Sequence, residues 1–105
     1  MKVRREGRFV IGGIVEREDG WSLLMGAVED GQLVYRGLCH WGVGRQLAEA
    51  LTGNGLVRSM SPFAERVPVR GVIWLEPRLL ADVTYAEVMP RRLRAPVFRG
   101  LAVAK

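Results

Sequence analysis

Apolar residues occur along this chain in short runs punctuated by glycine, proline and acidic dipeptides, a pattern that predicts short β-strands with one helix. Phe9 to Val15 reads as the first strand, and the Gly12-Gly13 pair within it predicts a sharp bend or bulge, as at a barrel corner. Glu18-Asp19-Gly20 is a turn signal, Trp21 to Val28 a second strand, Glu29-Asp30-Gly31 a second turn, and Gln32 to Leu38 a third strand. Two Asp-Gly turns joining three strands make a meander.

The period then changes. After Gly42-Val43-Gly44, the segment Arg45 to Thr52 places Leu47, Ala50 and Leu51 on one helical face, and Gly53-Asn54-Gly55 stops it. Ser61-Pro62-Phe63 through Pro68 reads as a loop anchored by Phe63. Gly71 to Leu75, Leu79 to Met89 and Leu93 to Leu101 read as further strands, with Glu76-Pro77 turning the chain between the first two. A three-stranded meander, a helix, then more strands is the order of a five-stranded antiparallel oligonucleotide-binding (OB) barrel, all-β with one short helix that plugs the barrel end. An SH3-like barrel is the alternative. Expected core residues are Phe9, Ile11, Leu23, Met25, Val34, Leu47, Leu51, Ile73, Val83 and Phe98.

Length narrows the choice to one domain spanning residues 1–105, since a chain of 105 residues supports a single core and no second lobe. The basic start Met1-Lys2-Val3-Arg4-Arg5 before an apolar run imitates a signal peptide, but Glu16 ends the run and no small-x-small cleavage site follows. That run is also far short of the roughly 20 residues that cross a bilayer, so no membrane partner is expected. The lone Cys39 forms no internal disulfide, which suits a reducing, cytoplasmic compartment, and with His40 the only histidine no zinc site of the usual ligands is expected.

Charge is distributed unevenly. The net +5 lies entirely in residues 91–105, which hold five cations and no acid, and Lys2, Arg4, Arg5 and Arg8 form a second basic cluster. Fourteen of the sixteen cations are arginine, whose planar fork suits phosphate oxygens, so a polyanionic partner is one reading; high genomic GC content, which also enriches arginine, is the other.

Catalytic arrangements are mostly excluded. Cys39 and His40 are adjacent on a strand and so point to opposite faces, and Cys39 is expected as a buried core thiol. Gly42-Val43-Gly44-Arg45 lacks the third glycine and the βαβ context of a dinucleotide fingerprint and reads as a helix entry. Glu16, Glu18, Asp19, Glu29 and Asp30 sit at turns, where acids are solvated turn-formers. Trp21, Trp41 and Trp74 are expected beside the core, with base stacking the sharper alternative. No catalytic residue and no metal ligand is assigned.

Six blocks, in order and spacing, carry a resemblance: Arg8-Phe9-Val10-Ile11-Gly12-Gly13, Ser22-Leu23-Leu24-Met25-Gly26, Leu33-Val34-Tyr35-Arg36-Gly37, Ser61-Pro62-Phe63, Trp74-Leu75-Glu76-Pro77-Arg78-Leu79 and Leu93 through Leu101. Together they resemble the C-terminal OB domain of bacterial ATP-dependent DNA ligases, most closely those of end-joining repair. In that family the catalytic lysine lies in a separate nucleotidyltransferase domain, within Lys-x-Asp-Gly, and forms a phosphoramidate with AMP. Lys2 and Lys105 are the only lysines here, and neither stands in such a motif. The resemblance implies that ATP and a divalent metal belong to that other domain and no cofactor to this chain. Met1-Lys2-Val3-Arg4 resembles the end of the catalytic domain, so the chain is expected to begin at the domain boundary, with Lys2, Arg4 and Lys105 near the nucleotide phosphates. The last family motif, Gly-Leu-Arg-x-Asp-Lys, reads here Gly100-Leu101-Ala102-Val103-Ala104-Lys105, with alanine in place of the Arg and the Asp. Leu38 and Trp41 likewise fall where many relatives carry Arg and a small residue.

The expected function is a DNA-binding OB domain that clasps nicked or broken duplex during DNA repair, beside a ligase catalytic domain in cis or in trans, and is not an enzyme alone. Arg36, Arg45, Arg70, Arg94 and Arg99 are the candidate phosphate contacts, each against the alternative of a solvated surface charge. The competing function is a protein-interaction module derived from a ligase.

Overall fold

A computed structural model of the chain describes residues 5–18, 20–40, 42–53, 55–88, 93, 94 and 96–103. The expected meander is present as β1 (Arg5–Arg17), β2 (Gly20–Glu29) and β3 (Gln32–Cys39), paired antiparallel in order. The hairpin between β2 and β3 turns on Asp30 and Gly31 alone, both at positive φ (52° and 76°), as a two-residue turn of matching twist requires.

Helix α1 (Arg45–Thr52) follows, as expected, with Gly44 at its N-cap and the Gly53 amide closing it on the Glu49 carbonyl at 2.9 Å. Its buried residues are Ala48 and Leu51, with Leu47 partly buried and Ala50 exposed. The inward face is therefore centred on Leu51, one position round from the expected one.

Beyond the helix the sheet departs from five strands. β4 (Val57–Arg58) pairs with β5 (Ile73–Leu75), β5 also pairs with β1, and β6 (Leu79–Tyr85) pairs with β1 and with β9 (Val97–Val103). These seven strands form one antiparallel sheet, and β7 (Glu87–Val88) with β8 (Leu93–Arg94) forms a separate two-stranded one. The expected long strand Leu79 to Met89 is interrupted at Ala86: β6 ends at Tyr85, and Glu87–Val88 pair instead with Leu93–Arg94, Met89 lying outside the described residues. The expected strand Leu93 to Leu101 is divided at Pro96, which has no N–H to give a ladder.

Among the described residues no ladder joins β3 to β9, so the sheet is not a closed barrel. The edge strands β3 and β9 nevertheless approach one another. The Cys39 thiol at the end of β3 donates to the Pro96 carbonyl at 3.6 Å, and a Cβ on Gly42 would stand 2.5 Å from the Phe98 carbonyl oxygen. Only glycine fits there, both for that approach and for its φ of +83°.

Side chains on the two faces of β1 to β3 feed two clusters. Ile11, Ile14, Leu23, Met25 and Cys39 join Leu51, Leu75, Ala81 and Val83 inside the curl, with Phe9, Leu47, Ile73 and Phe98 packed partly buried against them. Val15, Leu24, Leu33 and Tyr35 collect on the outer face around Phe63. Simple alternation would not place Ile11 and Ile14 together; a bulge between Ile11 and Gly13 shifts the phase of β1, as the glycine pair predicts. A second bulge, at Arg36–Gly37, shifts β3 so that Leu33 and Tyr35 face outward while Cys39 faces inward. Val34 falls outside both clusters, contrary to expectation: it lies on the face opposite Leu33 and Tyr35, paired with Ala27 near the hairpin tip, and neither of that pair joins the inner cluster.

Candidate functional site

The described candidate arginines are placed by identifiable backbone features. Register in the β2–β3 ladder passes from Met25–Gly37 to Gly26–Tyr35, which makes Arg36 an extra residue in a bulge. In the β6–β9 ladder it passes from Asp82–Gly100 to Val83–Phe98, which makes Arg99 another. Bulges re-aim side chains, so two of the arginines picked out by charge lie where the backbone redirects them. Composition carried no signal of this.

Their surroundings differ. Arg36 is ion-paired with Glu29 of the same hairpin, and Arg45, at the first turn of α1, lies 3.3 Å from Glu49 on the same helix. Arg99 and Arg70 are exposed and make no ion pair among the described residues. Arg99 borders an open cleft of about 490 Å³ with Glu6, Arg8, Asp82 and Thr84. Arg8 and Asp82 face each other across the β1–β6 ladder, the Arg8 Nε donating to the Asp82 carboxylate at 2.7 Å. That hydrogen bond holds the Asp82 carboxyl below the usual aspartate range, so the two charges neutralise each other at neutral pH and Arg99 keeps a free cation beside them.

Arg70 stands on the loop between β4 and β5, in a separate cleft with Arg66 and Trp74. The clefts thus divide Arg70 from Arg99. Arg94 lies on β8, with its side chain outside the described set, and Lys2, Arg4 and Lys105 lie outside the described residues, as does Trp41.

Cys39 is fully buried, and burial pushes its thiol up to about 11, the opposite of a reactive thiolate. His40 is exposed next to it, and its Nδ1 shares a hydrogen bond with the buried hydroxyl of Ser22. The two residues therefore lie apart, as their adjacency on a strand predicts. Trp21 and Trp74 are half-buried beside the inner and outer clusters respectively. Among the described residues no three His, Cys, Asp or Glu side chains gather as a metal ion would require, and no helix is long and apolar enough to cross a membrane.

An antiparallel sheet curled nearly onto itself, with one helix between the meander and the returning strands, is an OB architecture. The chain belongs to the ATP-dependent DNA ligase C-terminal region family, whose model matches residues 17–105. Among solved structures it is similar to the ligase domain of M. tuberculosis LigD, with 31% identity and a TM-score of 0.83 over 94% of this chain and 35% of that one. It is also similar to a mycobacterial DNA ligase D complexed with ATP and MES, with 36% identity and a TM-score of 0.79 over 96% of this chain and 35% of that one. The chain thus spans about a third of either structure. A search of curated proteins gave no match.

Proposed function

We propose that this chain is the DNA-binding OB module of an ATP-dependent ligase, gripping the phosphate backbone of nicked or broken duplex during repair in the cytoplasm. Adenylation belongs to a separate catalytic domain, linked in cis or bound in trans, which supplies the ATP site, the divalent metal and the nucleophilic lysine. Alone, the chain is not an enzyme.

The observation that carries the reading is the placement of Arg99. A bulge presents its guanidinium beside an Arg8–Asp82 pair that is already neutralised, so its charge is free for a phosphate oxygen. Arg70 offers a second uncommitted cation, and Arg94 precedes Arg99 in the same basic tail. Arg36 and Arg45 are secondary contacts, because binding a phosphate there means sharing the cation with Glu29 or Glu49. Phosphate contacts carry little sequence information, as suits a module that meets breaks anywhere.

A gel shift comparing nicked with intact duplex tests the reading. Binding that weakens with salt and favours the nick is expected. A chain that ignores DNA while retaining its fold is instead a protein-interaction module.

A further inference from the structure

The loop over the outer face of the sheet forms a cleft of which the duplex-binding reading uses only Arg70. Its base is Trp74 on β5, whose ring is fixed by an edge contact with Phe63, at 6.1 Å between centroids and 67° between planes. A Cβ on Gly13 would stand 3.3 Å from the same ring, so the indole also lies close over β1. Opposite it, the loop turns tightly at Pro68, where the Val69 amide donates to the Val67 carbonyl at 2.9 Å. That turn separates two exposed arginines, Arg66 and Arg70, neither of which makes an ion pair among the described residues. The cleft is open and holds about 510 Å³, room for one nucleotide. Glu65, the acid in the wall, is engaged by the Tyr35 amide, which donates to its carboxylate at 3.2 Å.

A half-buried indole, apolar walls and two exposed guanidinium groups with no ion pair among the described residues match a ligand that is flat and apolar on one side and anionic on the other. We propose that this cleft binds one unpaired nucleotide of single-stranded DNA, its base stacked on Trp74 and its phosphate held by Arg66 and Arg70. The site would receive an overhang at a broken end. It goes beyond the duplex reading and does not depend on it, because a short single strand presents no nick and no duplex groove.

The test is fluorescence anisotropy of a dye-labelled, 5′-phosphorylated tetrathymidylate titrated with the full chain. Trp74→Ala is expected to weaken binding about five- to a hundredfold, the range of one base–aromatic stack, and Trp74→Phe to retain most of it. Since Trp74→Ala also removes a contact of Phe63, the doubly substituted Arg66→Ala/Arg70→Ala chain, altered only at exposed positions, is the second variant and should lose at least tenfold. No binding by the unaltered chain, equal binding by the arginine variant, or stronger competition by a phosphotyrosine peptide than by the unlabelled oligonucleotide would each overturn the proposal.

Discussion

The ring of Phe63 lies directly on Gly12, so close that a Cβ there would stand 2.4 Å from the ring. A Cβ on Gly26 of the neighbouring strand would stand 2.7 Å from the same ring, and Tyr35 and Trp74 make edge contacts with it at 5.7 and 6.1 Å between centroids. One aromatic residue thus pins the long loop to the two glycines of the outer face, with no room to swing aside.

Gly12→Ala therefore overpacks the outer cluster and should cost about 1–3 kcal/mol, seen as a lower urea midpoint with an unchanged slope. A midpoint equal to that of the unaltered chain contradicts the packing described.

Cys39 supplies a second check. Its thiol pKa is raised by burial, so the contribution of the neutral thiol to stability is complete below the unfolded value near 9 and is lost as pH rises through about 11. Stability should fall across that window, and Cys39→Ala should flatten the fall. Iodoacetamide at pH 8 should label the native chain at least about a hundredfold more slowly than the urea-unfolded chain.

Much of this architecture was legible in the sequence, and its failures have physical causes. The Asp30-Gly31 turn and the helix were readable because their residues act locally, through positive φ and through a helix stop at Gly53. Val34 lies outside the core because it pairs with Ala27 near the hairpin tip, away from the inner cluster, and the bulge at Arg36–Gly37 that sends Tyr35 and Cys39 to opposite faces leaves no mark in a hydrophobic pattern. The break after Tyr85 is long-range information, because Glu87–Val88 pair with β8 instead of continuing the ladder, whereas the division at Pro96 follows locally from a residue with no N–H to donate. The candidate arginines stand out in the sequence only as charge. Which of them keep that charge free is not legible there, because Glu29 and Glu49 commit Arg36 and Arg45 through folded geometry.

The Arg8–Asp82 pair predicts an acid limb of known sign. Because the folded Asp82 pKa is lowered, the pair's contribution is present above the unfolded value near 4 and disappears as pH falls through the lower folded one. Urea midpoints followed from pH 6 to below 3 should fall less steeply for Asp82→Asn than for the unaltered chain. Parallel curves contradict the assignment.

Adenylation gives a chemical test. Lys2 and Lys105 are the only lysines, and neither is followed by the x-Asp-Gly of the family's nucleophile, so radiolabelled ATP should leave no covalent label on this chain. A labelled band that survives denaturation and disappears when Lys2 or Lys105 is replaced would contradict the division of labour proposed.

The salt dependence of binding to nicked duplex tests the central claim most directly. Each phosphate contact contributes about 0.9 to the slope of log affinity against log salt, so replacing Arg94 and Arg99 together by alanine should reduce its magnitude by up to about 2 without changing sequence preference. An unchanged slope in a folded variant would place the phosphate grip elsewhere, and the absence of any salt-sensitive binding by the unaltered chain would contradict a DNA-binding function.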